Sequence, residues 1–169
     1  IASLNVGVST SYGGGISWSP DGTKILFSGS GDNDREIFVI NSDGSGATNL
    51  TNWPTGCLDG TLTPDPAIGG GCGTGRDDFN PDWSPDGSKI VYTGTGGHYG
   101  TETIWVMNAD GSNNTDLNVT GARPSWSPDG TKIVFDNNPN GIYVMNADGT
   151  NVVQLSSTGH MPHWGPAAP

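Results

Sequence analysis

The residues best suited to bind a transition metal are three histidines, two of which lie close together in the sequence. His160 and His163 are separated by two residues, the second of which is Pro162, and His98 lies far from both. Imidazole is a common metal ligand, so the pair favours a metal site if further ligands join it. Pro162, however, holds the local backbone extended, and His163 stands at a variable repeat position just before Trp164. We therefore favour an interpretation without a bound metal.

Two acidic clusters carry the oxygen ligands that calcium prefers. Neither cluster has the spacing of an EF-hand loop, and carboxylates solvated at turns are the alternative that we favour. Our expectation for cofactors is therefore none, with calcium kept as the open alternative. The calcium candidates are Asp32, Asp34, Asp77, Asp78 and Asp82, with Glu36 beside the first pair.

The sequence contains no motif for covalent catalysis. It has no Gly-x-Ser-x-Gly nucleophile elbow, and its glycine run at 69–75 lacks the lysine of a phosphate-binding loop. Seventeen acidic and six basic side chains give a net charge of −11, which argues against a nucleic-acid partner. No apolar stretch approaches the ~20 residues that a membrane-spanning helix needs. We expect neither an enzyme nor a membrane-spanning protein.

Both cysteines, Cys57 and Cys72, lie in a glycine-, proline- and threonine-rich insertion at about 52–78. A disulfide between them would stabilise this loop by about 3 kcal/mol on the chain-entropy model. Zinc would need further ligands nearby, so we predict a disulfide and an oxidising location: extracellular, cell-surface or periplasmic. Three sequons, at Asn49, Asn113 and Asn118, are candidate glycosylation sites if the source glycosylates exported proteins.

These residues are carried by a repeated unit. Trp-Ser-Pro-Asp-Gly occurs three times, and each copy is followed by two short β-branched and aromatic runs separated by a variable loop. The second run leads into another Asp-Gly turn and then a polar stretch centred on a leucine. Such runs are typical of strands, and Pro and Gly preset the tight turns between them. Each unit is predicted to be a four-stranded antiparallel sheet, and stacked sheets of this kind make a β-propeller. Equivalent positions in the repeat core are occupied by Trp18, Trp83, Trp126 and Trp164.

The motif resembles the WD40-like (PD40) repeat of the TolB-like β-propellers. The resemblance rests on Pro-x-Trp-Ser-Pro-Asp-Gly-x-Lys-Ile, then Ile-aromatic-Val-Met-Asn-x-Asp-Gly, then leucine, and it covers nearly the whole chain. It implies an all-β fold and, as in TolB-like propellers, the docking of a protein partner. Oligogalacturonate lyases, which resemble the same repeat family, use a histidine-bound metal on a propeller. This chain lacks the Arg and Lys cluster that an anionic sugar would require.

The repeats predict one domain over 1–169, with three full blades at about 15–51, 79–120 and 122–156. Residues 1–5 resemble an outer strand, with Leu4 at the leucine position of the repeat. Residues 161–164 resemble an inner strand, which makes Leu4, Met161 and Trp164 the interface candidates. Three blades fall short of the usual four to eight. The chain is then a fragment, an open arc, or a unit that further copies complete.

From these observations we predict a non-enzymatic, exported scaffold that associates with itself, as a ring, oligomer or filament, or with another exported protein. The first alternative is a calcium- or carbohydrate-binding propeller module. The second is a fragment of a larger propeller enzyme of the oligogalacturonate lyase type.

Overall fold

The computed structural model describes residues 15–30, 35–51, 76–95 and 100–164. Their secondary structure is entirely β, and none of them forms a helix of the length and apolarity needed to cross a membrane. The twelve strands are β1 (Ile16–Trp18), β2 (Lys24–Ser30), β3 (Arg35–Asn41), β4 (Thr48–Asn49), β5 (Asp78–Trp83), β6 (Lys89–Thr95), β7 (Glu102–Asn108), β8 (Thr115–Thr120), β9 (Ala122–Trp126), β10 (Lys132–Asp136), β11 (Ile142–Asn146) and β12 (Val153–Ser156).

The strands form three antiparallel four-stranded sheets, each in simple sequence order. We call these sheets blade one (β1–β4), blade two (β5–β8) and blade three (β9–β12). The predicted all-β fold of propeller blades is confirmed. The same turn closes the first hairpin of every blade: in blade two, Gly87 N–H donates to the Ser84 carbonyl, and the Asp86 carboxylate accepts from the Ser84 and Ser88 hydroxyls. Gly87 has φ +71°, a left-handed conformation that glycine adopts without strain.

Each blade has two faces because successive side chains of a strand point to opposite sides of the sheet. Both faces carry apolar side chains. We call the side that carries the repeat tryptophan the tryptophan face, and the opposite side the leucine face. Two clusters fill the spaces between blades. In the first, Trp83, Ile90, Tyr92 and Met107 of blade two pack on Leu26, Ile37, Val39 and Leu50 of blade one. In the second, Trp126, Ile133, Phe135 and Met145 of blade three pack on Val91, Ile104, Val106 and Leu117 of blade two.

Strand β5 begins at Asp78, at the end of the insertion that the sequence predicts over about 52–78. Asp78, placed in the insertion by the repeat pattern, is the first residue of β5, where it pairs with Gly94. Its carboxylate is fully buried and bonds to the Arg76 guanidinium at 2.8 Å, which fixes the start of the strand. The predicted disulfide of Cys57 and Cys72 lies outside the described residues, as does the predicted strand at 1–5 with Leu4.

The expectation of an inner strand at 161–164 needs correction. These residues form no ladder with any strand in the described part of the chain. They nevertheless follow the path of an inner strand, because Met161 has φ 54°, close to the 53° and 52° of Asn80 and Arg123 at equivalent positions. The segment therefore has the backbone form of an inner strand without a strand paired to it among the described residues.

Candidate functional site

The described acidic candidates lie in separate contacts with protein groups. Asp77 accepts from the backbone N–H and the guanidinium of Arg35, at 3.0 and 3.2 Å. Asp78 pairs with Arg76, as described above, and Asp82 binds groups of the two neighbouring blades. Within residues 15–30, 35–51, 76–95 and 100–164, no three His, Cys, Asp or Glu side chains group as metal ligands. Asp32 and Asp34 lie outside these ranges.

The histidines and sequons lie on the surface or outside the described residues. His160 and His163 are both exposed, and His98 is not described. Asn113 and Asn118 are exposed, with φ of 53° and 56°, and are therefore accessible to modification. Asn49 is half-buried, and its side-chain oxygen accepts a hydrogen bond from the backbone N–H of Thr51 at 3.1 Å.

A buried polar network that the sequence analysis missed anchors blade two. The Arg76 guanidinium lies over the Trp105 ring, 3.3 Å from its centroid, and donates to the Tyr92 hydroxyl at 3.0 Å. That hydroxyl donates to the side-chain oxygen of Asn114. Burial, aided by the nearby Asp78, raises the pKa of Tyr92, so the phenol stays protonated as a donor. Repeat alignment could not reveal this network because Arg76 lies before the first residue of the repeat.

The repeat tryptophans differ sharply in exposure. Trp83 and Trp126 lie buried between blades, with 6% and 7% of their surface exposed, whereas Trp18 is 57% exposed. Ile16, beside Trp18 on the tryptophan face of blade one, is 64% exposed. Trp164 is half-buried and donates its indole N–H to the Ser125 carbonyl at 3.2 Å. The tryptophan face of blade one is therefore open around Ile16 and Trp18, where the equivalent parts of the other two tryptophan faces are covered; Phe27, farther along this face, is buried.

The repeat leucines show the same contrast at the other end of the arc. Leu50 and Leu117 pack into the two clusters between blades. Leu155 is 59% exposed, and Val153, also in β12, is 54% exposed. Blade three thus ends the described arc with an open leucine face, opposite in type to the open face of blade one. The sequence analysis named Met161 and Trp164 but missed Ile16 and Leu155, although alignment of the repeats contains the signal.

Polar groups link the inner strands across the blades. Asp82 Oδ1 accepts from the Ser17 hydroxyl at 2.9 Å, and Asp82 Oδ2 accepts from the Trp126 backbone N–H at 2.9 Å. Within blade three, the Arg123 guanidinium forms a bidentate pair with the buried Asp136 of β10 at 2.7 and 2.8 Å, which raises the pKa of Arg123. These strands border a groove of about 620 Å³. The groove combines charged groups with proline and methionine surfaces, a composition suited to a small polar ligand.

Solved β-propellers resemble this arrangement of blades. A putative TolB from Agrobacterium tumefaciens matches with TM-score 0.66 and 24% identity over 93% of this chain and 56% of that one. TolB from Acinetobacter baumannii matches with TM-score 0.61 and 22% identity over 86% of this chain and 33% of the other. An oligogalacturonate lyase in complex with manganese matches with TM-score 0.55 and 18% identity over 80% of this chain and 33% of the lyase.

This chain therefore spans from a third to about half the length of these three proteins. No protein-family model and no curated protein matches the sequence. At these identities, the similarity establishes the β-propeller fold that the repeats predict.

Proposed function

We propose that this chain is a non-enzymatic, exported β-propeller module that acts by protein association, chiefly by binding further copies of itself. The observation that carries the proposal is the contrast between equivalent residues. Trp18 and Leu155 are 57% and 59% exposed, whereas Trp83 and Trp126, the equivalents of Trp18, are almost completely buried. Large apolar patches on soluble proteins are typical of association surfaces.

The two open faces differ from each other, so the association is head to tail. A tryptophan face of one copy meets a leucine face of the next, as happens twice inside the chain. Two copies supply six blades, within the four to eight of closed propellers. If the rotation from each copy to the next adds up to a full turn, the product is a closed ring. Otherwise the same contact repeats into a filament.

Export is part of the proposal and rests on two observations. The fold resembles that of TolB, and Cys57 and Cys72 are predicted from the sequence to form a disulfide, which persists in oxidising compartments. The acidic surface is compatible with a soluble, exported protein.

Two single substitutions test the head-to-tail contact. Trp18→Asp blocks the tryptophan face and Leu155→Asp blocks the leucine face. Loss of one large apolar contact costs about 1.5–3 kcal/mol, and the added charge costs more, so each joint weakens by roughly a hundredfold. Sedimentation velocity is expected to show monomers for each variant alone. An equimolar mixture is expected to stop at dimers, because each pair retains one intact tryptophan face and one intact leucine face.

Asn118→Asp, at an exposed position in the outer strand β8 of blade two, is the matched control and is expected to assemble like the unsubstituted chain. An unsubstituted chain that remains monomeric at its highest soluble concentration contradicts the proposal. Dimers of Leu155→Asp alone would instead indicate a symmetric contact between tryptophan faces.

A second candidate function, calcium or carbohydrate binding, is favoured by the groove along the inner strands. Asp82, Arg123 and His163 line this groove beside Pro124 and Met161. Calorimetry with calcium and a glycan array test it directly. Binding that Asp82→Asn abolishes would support this second function.

A further inference from the structure

The contact between successive blades has three parts that recur at both internal interfaces. First, a polar side chain near the end of the second strand accepts a hydrogen bond from the inner strand of the next blade. Ser28 Oγ accepts from Asn80 N–H at 3.2 Å, and Thr93 Oγ1 accepts from Arg123 N–H at 3.0 Å. This part of the contact positions the inner strand that carries the tryptophan.

The second part is a proline that contacts the Ser-Pro-Asp-Gly turn of the following blade. The third part is the repeat leucine, which contacts the other Asp-Gly turn of that blade. A Cβ built on Gly87 would lie 3.6 Å from Pro20, and one built on Gly130 would lie 3.3 Å from Pro85. The Asp-Gly turns sit in the same way on the repeat leucines. A Cβ on Gly111 would lie 3.5 Å from the Leu50 Cβ, and one on Gly149 would lie 3.1 Å from the Leu117 Cβ.

The two open faces carry the matching halves of this contact. Blade three has Asp136, Pro128 and Leu155 at the positions of the acceptor, the proline and the leucine. Blade one has the inner strand that begins after Gly15, together with the turn residues Gly22 and Gly44. A Cβ built on Gly22 or Gly44 would meet no atom within 4 Å. Both turns are therefore open where their internal equivalents rest on a neighbouring blade.

One of the three positions on blade three is already occupied. Met161 N–H donates to Asp136 Oδ2 at 2.8 Å, the bond that Arg123 and Asn80 make to the preceding blades. Trp164 follows three residues later, as the tryptophans follow Asn80 and Arg123. Unlike β1, which pairs with β2 over three residues, this segment has no strand paired to it in the described chain. Within the described part of the chain, it therefore follows the backbone path of an inner strand without pairing to a strand.

We infer that two copies join through a full repeat of the internal contact, in which residues 15–18 of one copy displace residues 161–164 of the other from Asp136. Gly22 then rests on Pro128 and Gly44 on Leu155 of the partner copy. The inference depends on the proposed self-association and specifies its register. A second copy is the fitting occupant because the joint continues an interface that the chain already makes twice, with the same residue types.

In the free chain, residues 161–164 occupy part of the surface that the joint uses, and we call them the placeholder segment. The segment covers the polar acceptor of blade three in the free chain and leaves the Pro128 and Leu155 positions open. An incoming blade one brings all three parts of the contact, whereas the placeholder brings one. A chain whose placeholder is bound to Asp136 cannot accept the incoming blade. The apparent affinity between copies is therefore lowered in proportion to the fraction of chains in which Asp136 is free.

Directed disulfide formation tests the register. Gly44→Cys and Leu155→Cys are prepared as separate variants and mixed under mild oxidation. The internal equivalents place the two Cβ atoms 3.1–3.5 Å apart, close to the range that a disulfide accepts. The mixture is expected to give a covalent dimer on non-reducing gels, and neither variant alone is expected to do so. Circular dichroism checks that Gly44→Cys, at φ +83°, is folded.

Gly44→Cys mixed with Asn118→Cys, which places the second cysteine on the outer strand β8, is the matched control. The unsubstituted chain is oxidised alongside because of its own two cysteines. Neither control is expected to give the dimer. If the unsubstituted chain assembles but the Gly44 and Leu155 variants do not cross-link, the register is wrong and the proposed self-association stands. If the unsubstituted chain stays monomeric in sedimentation, the proposed function fails and the register fails with it.

Trp164→Ala tests the placeholder separately. Removal of the indole weakens the hold of the segment on blade three, so this variant is expected to associate several-fold more tightly than the unsubstituted chain. Weaker association would show that residues 161–164 belong to the joint, and unchanged association would show that they do not compete; either result overturns the inference.

Discussion

The carboxylate of Asp82 accepts a hydrogen bond from the backbone N–H of Trp126 at 2.9 Å and so ties the inner strand of blade two to that of blade three. Its other oxygen accepts from the Ser17 hydroxyl of blade one, also at 2.9 Å. One side chain thus joins three inner strands. The stacking of blades is therefore held by specific polar contacts near the inner strands as well as by the apolar clusters between them.

Replacing Asp82 with alanine is expected to lower the free energy of unfolding by about 2–3 kcal/mol, because two hydrogen bonds to a charged group are lost. Ser17→Ala removes only one of these bonds and is expected to cost less. A double-mutant cycle in urea denaturation measures the coupling between them. Additive effects of the two substitutions would contradict a direct Ser17–Asp82 interaction.

Gly111 and Gly44 form a matched pair that isolates the contact between blades. Both have nearly the same left-handed φ, +85° and +83°, so alanine strains the backbone at each by about 1–2 kcal/mol. Only at Gly111 does the new Cβ meet a neighbouring blade, 2.9 Å from the Leu50 carbonyl oxygen. Urea denaturation of the dilute chain is expected to show a larger loss for Gly111→Ala. Equal losses in the free energy of unfolding for the two variants would show that blades one and two move apart to accommodate the new Cβ without a measurable loss of stability.

Stability is expected to fall as the pH drops from about 4 to about 2. In the three Ser-Pro-Asp-Gly turns, hydrogen bonds from the serine two residues before the aspartate and from the serine or threonine two residues after it lower the aspartate pKa to about 2, below its usual 3.8. A depressed folded-state pKa stabilises the protein above the unfolded-state pKa, and this contribution is lost as the carboxylates protonate. The residues concerned are Asp21, Asp86 and Asp129.

The triple variant with asparagine at these three positions provides the comparison for the pH effect. It is expected to be less stable than the unsubstituted chain at neutral pH and to lose less stability on acidification. Thermal unfolding followed by circular dichroism across this pH range measures both. Parallel acid profiles for the two proteins would assign the acid sensitivity to other carboxylates.

Association of the chain with itself is expected to strengthen with added salt. Each copy carries a net charge of −11. The proposed joint consists of apolar contacts and a hydrogen bond from a backbone N–H to the Asp136 carboxylate. Raising the ionic strength screens the repulsion between copies while leaving these contacts intact. Sedimentation equilibrium at low and physiological salt measures the change. Weaker association at higher salt would point to ion pairs across the interface.

The repeat pattern was sufficient to predict the four-stranded sheets of the three blades, although not the absence of strand pairing at 161–164 among the described residues. The runs beginning at Lys24, Lys89 and Lys132 became the second strands of the three blades, because short β-branched runs between tight turns have few other ways to pair. Local chemistry also determined the turns, since each serine and aspartate involved lies within a few residues of its partner.

The contacts of individual acidic residues could not be predicted in this way. Asp77, Asp78 and Asp82 are neighbours in sequence and resemble a possible calcium cluster, yet they bind three different sets of partners. Arg35 and Trp126, which bind Asp77 and Asp82, lie more than forty positions away in the chain. Contacts over such separations depend on how the blades stack and leave no trace in local spacing.

The sequence by itself determined that Trp18, Trp83 and Trp126 are equivalent residues of one repeating blade. Only the tertiary structure decided that Trp83 and Trp126 are covered while Trp18 is open. The physical reason is that a side chain is buried only when a second surface packs against it, whereas the local sequence describes only the surface that carries the side chain. A tryptophan face becomes core only where a leucine face lies against it, as in the two clusters between blades. The exposed faces of blades one and three are where we propose that a second copy binds.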